Sequence, residues 1–149
     1  MDKNKIAVVI LAAGKGTRLG CVDKPKVMLE IGGKPIVSYV VEELESLGLS
    51  SAQICLVVGF CKEKVMEYFG KRVSFAHQIE LKGTAHAAYT GITTLPKQIE
   101  HVLVMGGDDS AFYTKEVLEN ILQKHLEGDY VLSLVTAELE DPASMGRVV

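Results

Sequence analysis

Apolar runs of strand length alternate with amphipathic segments along this chain. The apolar runs predict five β-strands, at Lys5–Leu11, Gln53–Val58, Val73–Ala76, His101–Met105 and Tyr130–Ala137. Apolar residues at helical spacing predict four helices, at Pro35–Leu47, Lys62–Phe69, Thr84–Ile92 and Thr114–Leu126. The segment Asp141–Pro142 is expected to be a loop, and the final residues Gly146–Val149 resemble the start of a further strand.

This alternation indicates the fold class. Strands that alternate with helices favour right-handed βαβ crossovers, which build a mostly parallel sheet with helices on both faces. We therefore expect an α/β, Rossmann-like, three-layer fold that takes up residues 1–149 as one domain. Because the chain stops at what looks like a new strand, we expect it to be the N-terminal portion of a domain.

Composition narrows the class of function. The chain has 149 residues, is 48% hydrophobic and carries a net charge of -3, which suits one acidic globular domain and gives no basic field for nucleic acid. It has no apolar run of the roughly 20 residues that span a bilayer, and no signal-peptide pattern, so no membrane partner is expected. Its three cysteines form no CxxC pair, which argues against a disulfide framework or zinc site and favours the cytoplasm.

The most informative segment directly follows the first predicted strand. Its sequence is LAAGKGTRL, and the candidate nucleotide-binding residues within it are Leu11, Ala12, Ala13, Gly14, Lys15, Gly16 and Thr17. Glycines let backbone N–H groups approach an anion closely, while Lys15 and Arg18 supply positive charge. The segment is therefore predicted to hold a triphosphate.

Two common glycine loops do not fit. The dinucleotide fingerprint G-x-G-x-x-G fails because Leu19 stands where its third glycine should be, and no acidic residue ends the second strand. The P-loop fails because no GK[ST] follows at the required spacing. A dinucleotide oxidoreductase and a P-loop NTPase are both disfavoured.

Four motifs together resemble one family. They are the LAAGKGTRL loop, the segment Lys24–Leu29 followed by Gly33–Ile36, the residue Gln78 followed by Gly83–Ala87, and the segment Val102–Asp108. In order and spacing these resemble sugar-1-phosphate nucleotidyltransferases, above all the uridylyltransferase domain of bacterial N-acetylglucosamine-1-phosphate uridyltransferases, which have the MobA-like NTP transferase fold. The resemblance extends from residue 5 to the end of the chain.

The resemblance implies roles for the charged residues. Arg18 is expected to stabilise the leaving pyrophosphate and Lys26 to contact the phosphates of both substrates, which makes them the candidate catalytic residues. Asp108 ends a buried strand, where a carboxylate can hold Mg²⁺; a solvated strand-end aspartate is the alternative. The adjacent Asp109 should point to the other side. The pair Gly146–Arg147 resembles the start of the sugar-contacting part, with Gly146 as the sugar-binding residue.

The base-reading motif contains uncharged residues. Gln78 can offer both the donor and the acceptor of its amide to the imide edge of uracil. Gly83 allows close backbone approach to the base, and Thr84 could both cap the next helix and bond the nucleotide. His77 and His86 show no spacing that suggests metal binding or catalysis, so both are interpreted as structural.

These observations favour an enzyme that joins a nucleoside triphosphate, expected to be UTP, to a sugar 1-phosphate and releases pyrophosphate. N-acetylglucosamine 1-phosphate is the first candidate sugar. Because the remaining sugar contacts and the second metal ligand of the resembled family follow the G-R pair, we expect this chain to bind nucleotide with little turnover. A non-catalytic nucleotide-binding or regulatory module, and a cytidylyl- or guanylyltransferase with the same loop, are the alternatives.

Overall fold

A computed structural model of the chain describes residues 2–16, 23–109, 111–128, 130–141 and 143. Six strands lie in these ranges: β1 (Ile6–Ala12), β2 (Glu30–Ile31), β3 (Lys34–Pro35), β4 (Ile54–Val58), β5 (Ser74–His77) and β6 (His101–Gly106). The α-helices are α1 (Ile36–Ser46), α2 (Lys62–Phe69), α3 (Thr84–Ile92) and α4 (Lys115–Glu127), and short 3₁₀ turns occupy Lys3–Lys5 and Lys26–Met28.

The main sheet is parallel, with the strand order β5-β4-β1-β6. In the centre, β1 pairs with β4 on one side and with β6 on the other. Leu11 aligns with Gly106 and Val57, and Val58 aligns in turn with His77 of β5. The carboxyl ends of all four strands therefore lie at one edge of the sheet.

Helices cover both faces of the sheet. On one face, Val8 and Ile10 of β1 lie in a large buried cluster that also contains apolar residues of α1, α2 and α4. On the other face, Val9 and Ala13 lie in a smaller cluster with Ala87 of α3. This arrangement confirms the predicted three-layer α/β fold with a parallel sheet.

Helix α3 packs unusually close to the sheet at Gly91. A β-carbon at this position would meet the Cγ1 atom of Val9 and lie only 2.8 Å from the Cγ2 atom of Val57. Both valines are fully buried in the smaller core cluster. The missing side chain of Gly91 thus sets the distance between α3 and the two central strands, and with it the position of the helix start at Thr84.

Most predicted elements agree with the structure, one predicted strand is wrong, and the short hairpin of β2 and β3 was not predicted. The predicted strand start at Gly146–Val149 lies outside the described residues. The helices Lys62–Phe69 and Thr84–Ile92 have the predicted bounds, and the other two helices and first four strands differ by about one residue at their ends. The predicted strand Tyr130–Ala137 is wrong, because residues 130–141 form no strand and expose their apolar side chains, Val131 completely. An apolar run has strand propensity, but a strand also needs a hydrogen-bonded neighbour.

The cysteines and the lengths of the helices complete the description of the fold. Cys55 is a core residue with a free thiol, as its apolar surroundings predict, and Cys61 precedes α2 with a left-handed backbone (φ +47°). In the described part of the chain, no helix has the length and hydrophobicity that crossing a membrane requires.

The close contact at Gly91 predicts a specific stability defect. Gly91→Ala should lower the free energy of unfolding by about 1–3 kcal/mol, because the added methyl group overpacks the smaller core cluster. The measurement is urea unfolding of the single variants Gly91→Ala and Val9→Ala and of the double variant. Since Val9→Ala removes one of the atoms in conflict, the cost of Gly91→Ala should be smaller in that background. Strictly additive costs would contradict this packing.

Candidate active site

The backbone segments that follow the strands stay close together. The backbone N–H of Gln78 donates to the Val58 carbonyl oxygen (2.8 Å), and the backbone N–H of Gly107 donates to the Leu11 carbonyl oxygen (3.0 Å). A β-carbon on Gly59 would lie 3.1 Å from the Ala13 carbonyl oxygen and 3.3 Å from that of Gln78. The absence of a side chain at Gly59 therefore brings the glycine loop and Gln78 side by side.

A cavity of about 310 Å³ opens at this edge, between the glycine loop and the start of α3. It is lined by Leu11, Ala13, Gly14, Gln78, Leu81, Gly83, Thr84 and Ala87. Six of these are predicted nucleotide-binding residues, and they come from two motifs more than 60 residues apart in the sequence. Ala12 differs, because its side chain is buried in the large core cluster on the opposite face, so only its backbone can reach a ligand here.

Gln78 is the most constrained polar side chain at this cavity, with only 5% of its surface exposed. Its Nε2 atom donates to the Gly83 carbonyl oxygen (3.2 Å) and lies 3.0 Å from Nδ1 of His86. A backbone carbonyl can only accept, so the nitrogen end of the amide must face Gly83. Both amide hydrogens are therefore used within the protein, whereas Oε1 bonds to no residue that the structure describes.

This arrangement corrects one expectation about Gln78. The sequence suggested that the side chain offers a donor and an acceptor together to the base, but the structure leaves only the acceptor for a ligand. The donor is taken up because α3 begins close to the strand end and places a carbonyl and a ring nitrogen beside it.

Gly83 and Thr84 form the start of α3. Gly83 is the N-cap residue with φ +95°, a conformation that residues with side chains rarely adopt, and no side chain caps the helix. The expectation that Thr84 caps the helix is therefore wrong, because Thr84 is already its first residue and is exposed. This exposure leaves its hydroxyl accessible to a ligand in the cavity.

The glycine loop is described as far as Gly16, which has a positive φ of +65°. The side chain of Lys15 is exposed, with Nζ 6.0 Å from the centre of the Phe60 ring. It lines a second cavity of about 540 Å³, which shares Gln78 and Leu81 with the first one. The predicted residues Thr17, Arg18 and Gly146 lie outside the described residues.

Lys26 and Asp108 are brought together although they are 82 positions apart in the sequence. They form an ion pair in which the side chains are 41% and 32% exposed. Next to them, buried Val27 packs against Gly107, where a β-carbon would lie 2.9 Å from the Val27 Cγ1 atom. This contact fixes the 3₁₀ turn of Lys26 to the end of β6.

The pair lies beside a further cavity of about 600 Å³. It is lined by Lys24, Lys26, Leu29, Glu30, Ile31, Ile36 and Asp108. Lys24 also lines this cavity and is half-buried there, although it is not among the site residues that the sequence predicts. Its proximity to Lys26 in the sequence was the available signal.

The surroundings of Asp108 suit a metal ion that is bound together with a substrate and not one that is enclosed by protein side chains. The described residues contain no group of three or more histidine, cysteine or acidic side chains that could enclose a metal ion. Mg²⁺ is commonly held by one or two carboxylates together with substrate phosphates and water. Asp108, partly exposed and beside a lysine, fits such an ion that arrives with a phosphate, and not a permanently enclosed one.

Residues 8–145 match the family model of the MobA-like NTP transferase domain. The chain belongs to this family. The match includes the glycine loop, Lys26, Gln78, Gly83 and Asp108.

Individual relatives agree with the family. The bifunctional protein GlmU of Symbiobacterium thermophilum is 41% identical over 145 residues, which are 97% of this chain and 30% of that protein. The chain thus spans about a third of the length of such relatives. Among solved structures, HddC from Yersinia pseudotuberculosis complexed with GMP-PN is 30% identical with a TM-score of 0.62, covering 81% of this chain and 54% of HddC. A UDP-glucose pyrophosphorylase complexed with UDP-glucose is 26% identical with a TM-score of 0.63, covering 82% and 54%.

The exposure of the Lys26–Asp108 pair predicts a small structural role. Partly exposed ion pairs contribute between zero and about 1 kcal/mol, so Lys26→Met should change the free energy of unfolding by no more than that. Chemical unfolding of this variant is the measurement, with Val27→Ala as the comparison that removes a buried side chain and should cost more. If Lys26→Met destabilised the protein as much as Val27→Ala does, the pair would be a structural element.

Proposed function

We propose that this chain carries the nucleotide-binding part of a nucleotidyltransferase that joins UTP to a sugar 1-phosphate and releases pyrophosphate. N-acetylglucosamine 1-phosphate is the first candidate sugar. The observation that carries the proposal is the placement of a buried glutamine amide, that of Gln78, and a lysine–aspartate pair at the same edge of the sheet. The identity to a GlmU protein and the solved complex of a relative with UDP-glucose support it.

The base is proposed to enter the cavity of about 310 Å³ beside Gln78. Oε1 of Gln78, the one end of this amide without a protein partner in the described chain, would accept a hydrogen bond from N3–H of uracil. Cytosine carries a lone pair at N3, so the two acceptors would face each other without a hydrogen. Leaving a buried polar pair unsatisfied costs more than a mere loss of contact, which disfavours CTP.

The phosphates would then extend along the glycine loop towards Lys26. Backbone amides of Gly14 and Gly16 and the ammonium group of Lys15 suit the β- and γ-phosphates, and Arg18 is proposed to stabilise the leaving pyrophosphate. Lys26 would contact the α-phosphate and the sugar phosphate as they meet. Asp108 would hold Mg²⁺, which supplies charge neutralisation to the phosphate oxygens when bound.

The chemistry needs neither a covalent intermediate nor a general base. A phosphate oxygen of the sugar 1-phosphate attacks the α-phosphorus in line, forming a new P–O bond as the bond to the β-phosphate breaks. The sugar phosphate is already an anionic nucleophile, so the protein contributes alignment and charge stabilisation. Sugar contacts through Gly146, and a cytoplasmic setting without nucleic-acid or membrane partners, remain predictions from the sequence.

A guanylyltransferase is the second candidate. Guanine also presents a ring N–H donor, at N1, to an acceptor such as Oε1 of Gln78, and the related HddC structure contains GMP-PN. A purine needs more room than uracil, and the larger cavity that Lys15 and Phe60 line shares Gln78 and Leu81 with the one beside Gln78. A comparison of UTP and GTP binding decides between the two candidates.

The nucleotide preference is the first prediction of this proposal. In the presence of Mg²⁺ the chain should bind UTP at least about tenfold more tightly than CTP, since an unsatisfied buried acceptor costs about 1–3 kcal/mol. Titration calorimetry with UTP, CTP and GTP measures the three affinities. Gln78→Met, which keeps the length of the side chain but removes the amide, should bring UTP and CTP affinities close together. Equal binding of UTP and CTP by the unsubstituted protein would contradict the uridylyl assignment, and a preference for GTP would favour the second candidate.

The role of Asp108 gives a second prediction with a matched control. Asp108→Asn should reduce the gain in UTP affinity that Mg²⁺ provides by about tenfold or more, because an amide is a poorer ligand for a hard cation. The same substitution at the exposed neighbour Asp109 should leave this gain unchanged. The measurement is UTP titration with and without Mg²⁺ for both variants. An equal loss in the two variants would show that overall negative charge, and not coordination by Asp108, attracts the ion.

A further inference from the structure

His86 occupies a position for which neither the reaction nor the fold accounts. It lies in the first turn of α3, half-buried, with Nδ1 3.0 Å from Nε2 of Gln78. The other contact of this Nε2 atom, to the Gly83 carbonyl, is longer at 3.2 Å. The histidine thus makes the shorter of the two contacts that hold the amide.

The contact determines the chemical state of both partners. Because the Gly83 carbonyl requires Nε2 of Gln78 beside it, the group that faces His86 Nδ1 is an N–H donor. Nδ1 must then be the acceptor, so the ring of His86 carries its hydrogen on Nε2. In this tautomer, the amide and the ring form a donor–acceptor pair with one orientation only.

The Gly83 carbonyl by itself is a weaker constraint on the amide. It also accepts the first hydrogen bond of α3, from the Ala87 amide at 3.1 Å. A rotated Gln78 amide would turn Oε1 towards the Gly83 oxygen, which would repel it, and would also require the ring hydrogen of His86 to move from Nε2 to Nδ1. Without His86, only the shared carbonyl would oppose the rotation.

We propose that His86 is a positioning residue that sets the nucleotide preference by holding the Gln78 amide with Oε1 free for the base. The inference rests on the proposed function, because it assumes that Oε1 accepts from N3–H of uracil. If the amide could rotate, Nε2 would face the base and donate to N3 of cytosine. His86 would therefore allow the site to discriminate between uracil and cytosine without contacting either base.

Two substitutions of similar size separate this role from simple packing. His86→Asn places a carbonyl oxygen near the position of Nδ1, so it can still accept from Gln78. His86→Gln carries the same amide one methylene further out, near the position of Nε2, and cannot accept there. A purely structural role would make the two variants behave alike.

The experiment measures the ratio of UTP to CTP affinity by titration calorimetry for the unsubstituted chain, His86→Ala, His86→Asn and His86→Gln. We expect the ratio to fall about tenfold in the Ala and Gln variants, chiefly because CTP binds more tightly, and to stay within about threefold in the Asn variant. His77→Ala is the control, because exposed His77 lies 3.5 Å from Lys62 and does not contact the Gln78 side chain. It should leave the ratio unchanged.

The outcomes distinguish a failure of the proposed role of His86 from a failure of the proposed function. If the unsubstituted chain prefers UTP and all His86 variants keep the full ratio, His86 is not a positioning residue and the proposed function stands. If Asn and Gln variants lose the ratio equally, the role is packing and the inference is overturned. If the unsubstituted chain shows no preference for UTP, the proposed function fails and the inference fails with it. Should His86→Ala not fold, the Asn and Gln pair still decides.

Discussion

The double pairing of β1 is the constraint on which the other elements depend. This strand is hydrogen-bonded to β4 on one side and β6 on the other, and all but one of its residues are buried. Its side chains alternate between the two core clusters, so a register shift by one residue would exchange the contents of both. Because β1 ends in the glycine loop, fixing this strand also fixes the place where phosphates are proposed to bind.

The candidate site is then assembled by contacts in which one partner lacks a side chain. Gly59 lets the Ala13 and Gln78 segments lie together, Gly107 accepts Val27 against the end of β6, and Gly91 lets α3 approach the sheet. None of the three glycines contacts a phosphate in the proposed arrangement. Their common effect is to reduce distances between elements, which polar side chains alone could not achieve.

The sequence predicted the elements that depend on local pattern and misjudged features that depend on neighbours. Apolar spacing was sufficient for all four helices and for the four strands of the main sheet, because burial on one or both faces leaves a periodic signature. It failed at Tyr130–Ala137, where the apolar run pairs with none of the strands that the structure describes. The short hairpin of β2 and β3 was also not predicted, since two residues per strand leave no periodicity.

For the site, residue types and spacing were sufficient to select Gln78, Lys26 and Asp108, but not to predict their partners. The pairing of Lys26 with Asp108 follows from the packing of Val27 against Gly107 at the end of β6, a tertiary contact that a single sequence does not display. The proposed role of His86 depends on which end of the Gln78 side-chain amide faces the Gly83 carbonyl, and the sequence does not contain this information. Its only signal in the sequence was its position in the first turn after Gly83.

One acceptor in this site serves two structures at once. The Gly83 carbonyl oxygen receives both the first hydrogen bond of α3, from Ala87, and a hydrogen bond from the side chain of Gln78. Fraying of the first helical turn, an opening that normally costs little, would therefore also release the amide that is proposed to read the base. Occupancy of the proposed base site would then be linked to the local stability of this helix end, so that a nucleotide which holds Gln78 in place would also slow hydrogen exchange at the start of α3.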